Sequence, residues 1–445
     1  MELSVISSSN VCSKLIGLMS LLPSWSARPS ASSSPWARLP FSFSASASFS
    51  CAAQLSKRPP PGHISASLSM KSHGSPTDFI VGVHPPVIWS SMPVLSSKWY
   101  DQIKWICIGI IFFFGATLID YNWIKWGSLP AYITSIILLL STNTELSGAE
   151  SWITMGGLTF QPSQLAIISG ILFLAVIYGE LPKKFPIFGK SYIKILIAAP
   201  VTALPCLIIL LEPDFGSSMA WIVIFMTSLL IGRVLFRYII VIIQFGLIVL
   251  PILYFFGLQN YQKERIETWL NMLNEKPVDE QGAAWVPKHN MIAIGSAGYL
   301  GKSNNNDSIN NSVNDNNTIN SNSSLVTEMG FVPPNVAIND FIFVTIAERH
   351  GFRGSAILLL LFLSLLLILI YMSYSAKDMT GRMIIAGFIG LLFFHVFMNV
   401  GMCVLLVPIT GLPLPFISYG GTFILMMLFM LGLCQSVWVH RNQTD

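Results

Sequence analysis

A few short polar segments in a strongly apolar chain hold the residue types that could do chemistry. Asp340 stands directly before Phe341-Ile-Phe343 and a long apolar run. An ionisable group at a membrane boundary is a functional candidate by default, and capping the following helix is the other use of the same side chain. Tyr261, Gln262, Lys263 and Arg265 lie within one short segment, and Lys302 closes Gly295-Ser-Ala-Gly-Tyr-Leu-Gly-Lys302. Glu212-Pro-Asp-Phe-Gly216 joins two apolar runs through a turn in which Asp214 can cap the next helix. Pro413-Leu-Pro-Phe-Ile-Ser-Tyr-Gly-Gly421 puts prolines, glycines, Ser418 and Tyr419 where hydropathy implies membrane. Irregular backbone at that depth is tolerated only where it is buried in protein or lines a wet cavity. The segment therefore helps to build a site, or else forms a short outer loop that caps the last helix.

These residues must be positioned by membrane helices. The chain has 445 residues, of which 53% are hydrophobic and 10% charged, and its mean hydropathy is +0.64. That composition excludes a soluble globular domain. About 20 apolar residues cross a bilayer as a helix, and nine such runs are legible at 103–120, 128–142, 163–179, 193–211, 216–232, 238–257, 354–373, 383–406 and 417–438. The expected fold is therefore an all-α, polytopic helical bundle with a large outer loop. Lys183, Lys184, Lys190, Lys194, Arg233, Arg237, Lys377, Arg382, His440 and Arg441 fall in alternate loops, which the positive-inside rule makes cytoplasmic. The loops at 143–162, 212–215, 258–353 and 407–416, with all the polar motifs, then face outward. The net charge of +4 is spread too thinly for a nucleic-acid partner. The six cysteines show no metal-ligand spacing and read as packing residues.

Residues 1–99 are Ser-rich and basic, with only Glu2 and Asp78 acidic, and contain no membrane-length run. Such a segment is expected to be a disordered or targeting extension of the transit-peptide kind, or the product of a misassigned start. Residues 303–324 hold ten asparagines and almost nothing apolar. A tract of that composition cannot offset its ordering entropy and is expected to be a disordered insertion in the outer loop.

Asn399-Val-Gly-Met402, Pro408-Ile-Thr-Gly411, Asp340-Phe-Ile-Phe343 and the 413–421 segment together resemble the C-terminal half of the SEDS family (RodA, FtsW and SpoVE), which polymerises peptidoglycan glycan strands. The resemblance implies that Asp340 is the catalytic carboxylate, acting as general base on a sugar hydroxyl. It implies lipid II as donor and acceptor, undecaprenyl pyrophosphate as leaving group, inversion at the anomeric carbon, and a class B penicillin-binding protein as transpeptidase partner. The pyrophosphate calls for cations or a divalent ion, magnesium or manganese; Lys263, Arg265 and Lys302 are the candidate cations. Tyr261, Gln262 and Arg265 match the family's Tyr-Gln-x-x-Arg, and Asp214 its Pro-Asp-Leu/Phe-Gly. Gln161, Ser163, Pro415, Ser418, Tyr419 and Gly420 complete the implied substrate-binding set. Ile346-Ala-Glu348 is nearer to the RodA branch. The implied location is the bacterial inner membrane, or an organelle envelope if the N-terminus is a transit peptide.

The chain departs from the pattern in three places. Gln164 stands for a usual Glu, Ile167 for a Lys one turn later, and Ser151 for an Arg. SEDS proteins usually have ten spans, so the first family helix is expected to be absent. Two other functions stay open beside polymerisation: a flippase for lipid-linked precursors, and a catalytically inactive scaffold for the transpeptidase. Polar residues clustered at the outer face favour polymerisation over transport.

Overall fold

The computed structural model describes residues 95–442, apart from 143, 147–148, 156–157, 213, 280–281 and 303–333. These residues belong to one compact unit. Nearly all of the N-terminal extension and the whole Asn-rich tract lie outside the described residues.

In chain order, the helices before the large loop are α1 (Leu95–Leu118), α2 (Ile124–Leu140), α3 (Pro162–Lys184), α4 (Ser191–Leu211), α5 (Phe215–Ile231) and α6 (Phe236–Ile252). That loop carries α7 (Asn260–Leu273), α8 (Trp285–Ser296) and α9 (Pro334–Asn339), and the chain closes with α10 (Ile342–Tyr374), α11 (Met379–Cys403) and α12 (Gly421–Val439). Eight helices are long and apolar enough to cross a membrane, and α5 is a shorter apolar one, so the described residues supply the nine runs read from hydropathy. Apolar composition forms these helices because every backbone polar group in lipid must be paired within the segment.

The 143–162 loop holds what hydropathy did not announce. Strands β1 (Thr144–Leu146), β2 (Ala149–Met155) and β3 (Leu158–Phe160) pair antiparallel in the order β1-β2-β3. This small sheet is the one departure from an all-α fold among the described residues.

Helices α3 and α11 are the most buried spans and form the centre, with α3 packed on α2, α4, α5 and α11. Helix α1 pairs along α12 through small residues: a methyl group on Gly432 would meet the Phe113 backbone, and one on Gly421 would meet the Trp105 ring. Close backbone approach of this kind replaces the hydrophobic drive that helices lack in lipid. Side chains reinforce it, with Ser436 Oγ donating to Ile119 O at 2.6 Å.

Helix α10 is two pieces. Gly351 (φ 65, ψ −164) breaks it, and its backbone lies against Gly301, where neither residue has room for a Cβ. Phe352 N donates to Gly298 O at 3.0 Å and Arg353 N to Tyr299 O at 3.1 Å across the same contact. The piece before the break is buried from Ile342 to Arg349, whereas the piece after it is a largely exposed span. Asp340 therefore does not adjoin a membrane span, as the sequence suggested; a buried half-helix lies between.

Candidate active site

Three chain segments converge at one end of the bundle. The first is the start of α3 and of α5, where Gln161 Nε2 donates to Asp214 Oδ2 at 3.0 Å and Ser217 N donates to Asp214 Oδ1 at 3.0 Å. Asp214 thus caps α5 and also takes a hydrogen bond from a neighbouring helix. The second is α7, a polar helix opened by a reciprocal Gln259–Gln262 capping box, which carries Tyr261 and Arg265 in van der Waals and cation-π reach of each other, 5.6 Å from guanidinium to ring centre. The third is the α9–α10 junction with Asp340.

The 404–420 loop stitches these together. Trp269 Nε1 donates to Leu405 O at 2.8 Å, tying the loop to α7. Gly411 (φ 70) lies beside Asp340, so that a methyl group there would sit 3.5 Å from Asp340 Oδ2. A Cβ on Gly216, next to Asp214, would meet Thr410 O and Leu412. Asn399 Nδ2, on α11, donates at 2.7 Å to both Asp340 O and Leu412 O. Ser418 Oγ donates to Asn339 O and accepts from Leu414 N at 2.8 Å, while Tyr419 N donates to Ile338 O at 3.1 Å. Gln102 Nε2, on α1, donates to Ser418 O at 3.1 Å.

Asp340 does not cap α10; Phe341 holds that position, without a side-chain cap bond. Burial pushes the Asp340 carboxyl up to about 6, with Arg265 pulling it down and Asp214 pushing it further up. Asp214 is also raised by burial, against the hydrogen bonds from Ser217 and Gln161 that lower it. Tyr261 is raised by burial, and it feels Arg265 and Asp214 as well. Asp340, Asp214, Gln161, Tyr261 and Arg265 form one electrostatic cluster. A carboxylate poised near neutrality beside an exposed guanidinium can accept a proton while an anion is held close by.

Other expected substrate contacts turn out to be framework. Ser163 is fully buried in α3, and Gln262 is buried with its Oε1 accepting from Gln259 N at 3.0 Å. Pro415 and Ser418 are buried. Lys263 Nζ donates to Phe255 O at 3.1 Å, and Lys302 Nζ is 2.8 Å from the fully buried Glu348 Oε1. Of the three candidate cations, Arg265 alone acts on the carboxylate cluster. Tyr419 and Gly420 are half-buried beside α1, with Lys98 Nζ 5.4 Å from the Tyr419 ring centre. Asn399, which the sequence offers only as part of a motif, and Gln102, which it does not single out, both position the site. The signal for Asn399 was a polar side chain inside an apolar run; Gln102, just before the 103–120 run and beside Asp101 and Lys104, gave none.

Gln164 and Ile167 are both buried in α3, so the uncharged pair sits where an unpartnered charge would be most costly. Ser151 lies in β2.

Fold and site together define a polytopic membrane protein with a cluster of carboxylates and an arginine at one end of a helical bundle. The model of the FtsW/RodA/SpoVE family, described as cell cycle proteins, matches residues 88–318 and 320–443, and the chain belongs to that family. It is 28% identical over 359 residues to the peptidoglycan glycosyltransferase MrdB of Escherichia coli K12, covering 80% of this chain and 90% of that protein. It is 27% identical over 346 residues to the stage V sporulation protein E of Bacillus subtilis, covering 76% and 85%. Among solved structures, a chain from a peptidoglycan synthase complex that coordinates polymerisation and crosslinking shares the fold at a TM-score of 0.63 and 24% identity, over 80% of this chain and 94% of that one.

Proposed function

We propose that this protein is an inverting peptidoglycan glycosyltransferase that polymerises lipid II. The observation that carries the proposal is Asp340: a carboxyl outside the spans, raised to about 6 by burial and drawn down by the charge of Arg265. Asp340 takes the proton of the acceptor sugar hydroxyl as that oxygen bonds to the anomeric carbon of the growing chain. The bond from that carbon to the undecaprenyl pyrophosphate oxygen breaks, and the configuration inverts. Arg265, exposed beside the carboxylates, neutralises charge on the departing pyrophosphate. Asp214, held by Gln161 and Ser217, keeps Asp340 basic.

No group of three or more metal-ligating side chains occurs among the described residues. Magnesium or manganese nevertheless fits, because such ions are commonly held by one or two carboxylates together with substrate phosphates and water. Asp214 would hold it here together with the substrate phosphates, leaving Asp340 free as base, and it would supply charge neutralisation for the pyrophosphate. The proposed partner is a class B penicillin-binding protein, and the proposed location the bacterial inner membrane.

An inactive scaffold is the second reading, resting on Gln164, Ile167 and Ser151. Purified protein supplied with labelled lipid II, with and without a divalent ion, tests both. Long glycan strands from wild type, and none from Asp340→Ala, are expected. A wild type that makes none under either condition overturns the enzymatic proposal.

A further inference from the structure

At the end of the bundle opposite Asp340, the α3–α4 and α5–α6 turns are fastened into one platform. Lys194 Nζ donates to Gly232 O at 2.7 Å, Leu235 N donates to Ser191 Oγ at 3.3 Å, and Tyr178 OH donates to Lys194 O at 3.2 Å. The platform carries Lys183, Lys184, Lys190, Lys194, Arg233 and Arg237, and no acidic residue occurs in 181–211 or 215–262. Lys183 is paired with Glu180 at 3.1 Å. Lys184, Lys190, Arg233 and Arg237 are exposed and have no ion-pair partner among the described residues.

Two details go beyond what topology requires. The positive-inside rule counts cations and does not ask that two loops be joined. Moreover, Arg233 occupies φ 55 just after the end of α5, the left-handed position that most helices fill with glycine. A cation is kept where glycine would be less strained, close enough to Lys194 for the two charges to repel. The first turn of α4 begins there too, with Lys190 at its N-cap and no side chain capping its amides, and an uncapped helix N-terminus attracts phosphate. Phe185, Tyr192 and Phe236 are exposed around it, at the level where aromatic rings sit against lipid headgroups. That apolar rim suits a diacyl lipid rather than free phosphate.

We propose that the joined α3–α4 and α5–α6 turns bind the headgroup of an anionic phospholipid of the cytoplasmic leaflet. Lys184, Lys190, Arg233 and Arg237 contact its phosphate groups, and Phe236 its glycerol and upper acyl region.

Native mass spectrometry of the full chain, equilibrated with mixed phosphatidylglycerol and phosphatidylcholine, tests this. One variant combines Lys184→Gln, Lys190→Gln, Arg233→Gly and Arg237→Gln. A second removes four cations elsewhere, through Lys104→Gln, Lys276→Gln, Lys377→Gln and Arg441→Gln. Wild type and the second variant should retain phosphatidylglycerol preferentially, whereas the platform variant should lose it, with affinity falling about five-fold per cation removed. Arg233→Gly alone removes backbone strain along with the charge, so it should melt no lower than wild type yet retain less phosphatidylglycerol. Equal loss in both four-cation variants would reduce the effect to net charge and overturn the proposal, as would retention by the platform variant or displacement of the lipid by inorganic phosphate.

Discussion

Asp340 is raised by burial to about 6, which gives the reaction a definite pH dependence. A general base must be ionised, so glycan synthesis should fall as pH drops through about 6. Because Arg265 holds that carboxyl down, Arg265→Gln should move the acid limb to higher pH and also slow the reaction at its plateau; an unmoved limb would show that Arg265 does not act on Asp340. Stability should run the other way. A carboxyl whose folded pKa exceeds its unfolded value near 3.8 loses stability as pH rises from about 4 through 6. Asp340→Asn lacks this loss, so it should make no strands yet melt higher than wild type at pH 7.5, with the difference gone at pH 4. Asn399 acts through Asp340: its amide serves two carbonyls at 2.7 Å, and leaving buried carbonyls unpaired costs about 1 to 3 kcal/mol each. Asn399→Leu should therefore lower both melting temperature and kcat while leaving the pH limb in place, which pH-rate profiles and thermal denaturation would read out.

The element that sets the position of Asp340 is the half-helix Ile342–His350. Its hold on the outer loop is the Lys302–Glu348 pair, with Glu348 fully buried. Removing one partner of a buried pair typically costs about 3 to 5 kcal/mol, because it leaves the other charge uncompensated. Lys302→Met should lower the free energy of unfolding, and with it the melting temperature, and Lys302→Met with Glu348→Gln should recover part of the loss. A neutral Lys302→Met would mean that the pair is solvated. The nine apolar helices were legible because lipid leaves a chain few alternatives, so hydropathy alone marks them. The break at Gly351 was legible only as the polar stretch Glu348, Arg349, His350 and Arg353 that precedes the 354–373 run; what fixes the backbone there is contact with Gly301, distant in sequence. The strands at 144–160 were missed because β1 and β3 are too short for periodicity to show and β2, Ala149–Met155, does not alternate apolar with polar residues. In the site, the structure brings the motif residues Asp340, Asp214, Tyr261 and Arg265 into one electrostatic cluster. It places Lys302 against Glu348 and Ser163 inside α3, since sequence shows that a side chain is polar and not whether a buried partner or a packed helix already holds it.

At the scale of the whole bundle, α3 is among the most buried helices and packs on α2, α4, α5, α11 and α12, and it begins at Gln161, which holds Asp214. The Gln164 and Ile167 departures lie one and two turns inside it and are buried. A bundle that has adapted to their neutrality and one that has lost its activity differ in how they respond to restored charge. Ile167→Lys alone places a cation in a buried membrane helix, at about 2.5 to 3.5 kcal/mol on the insertion scale, and should destabilise the protein. Gln164→Glu alone should cost less, since a carboxyl can take up a proton and become neutral. The two together place opposite charges one turn apart, where they can pair, and should be tolerated. For an adapted polymerase, wild type makes glycan strands and the double variant makes them at a similar rate. The decisive measurement is strand synthesis by wild type, both single variants and the double variant: an inactive wild type rescued by the double change would establish that neutralising this pair switched the enzyme off.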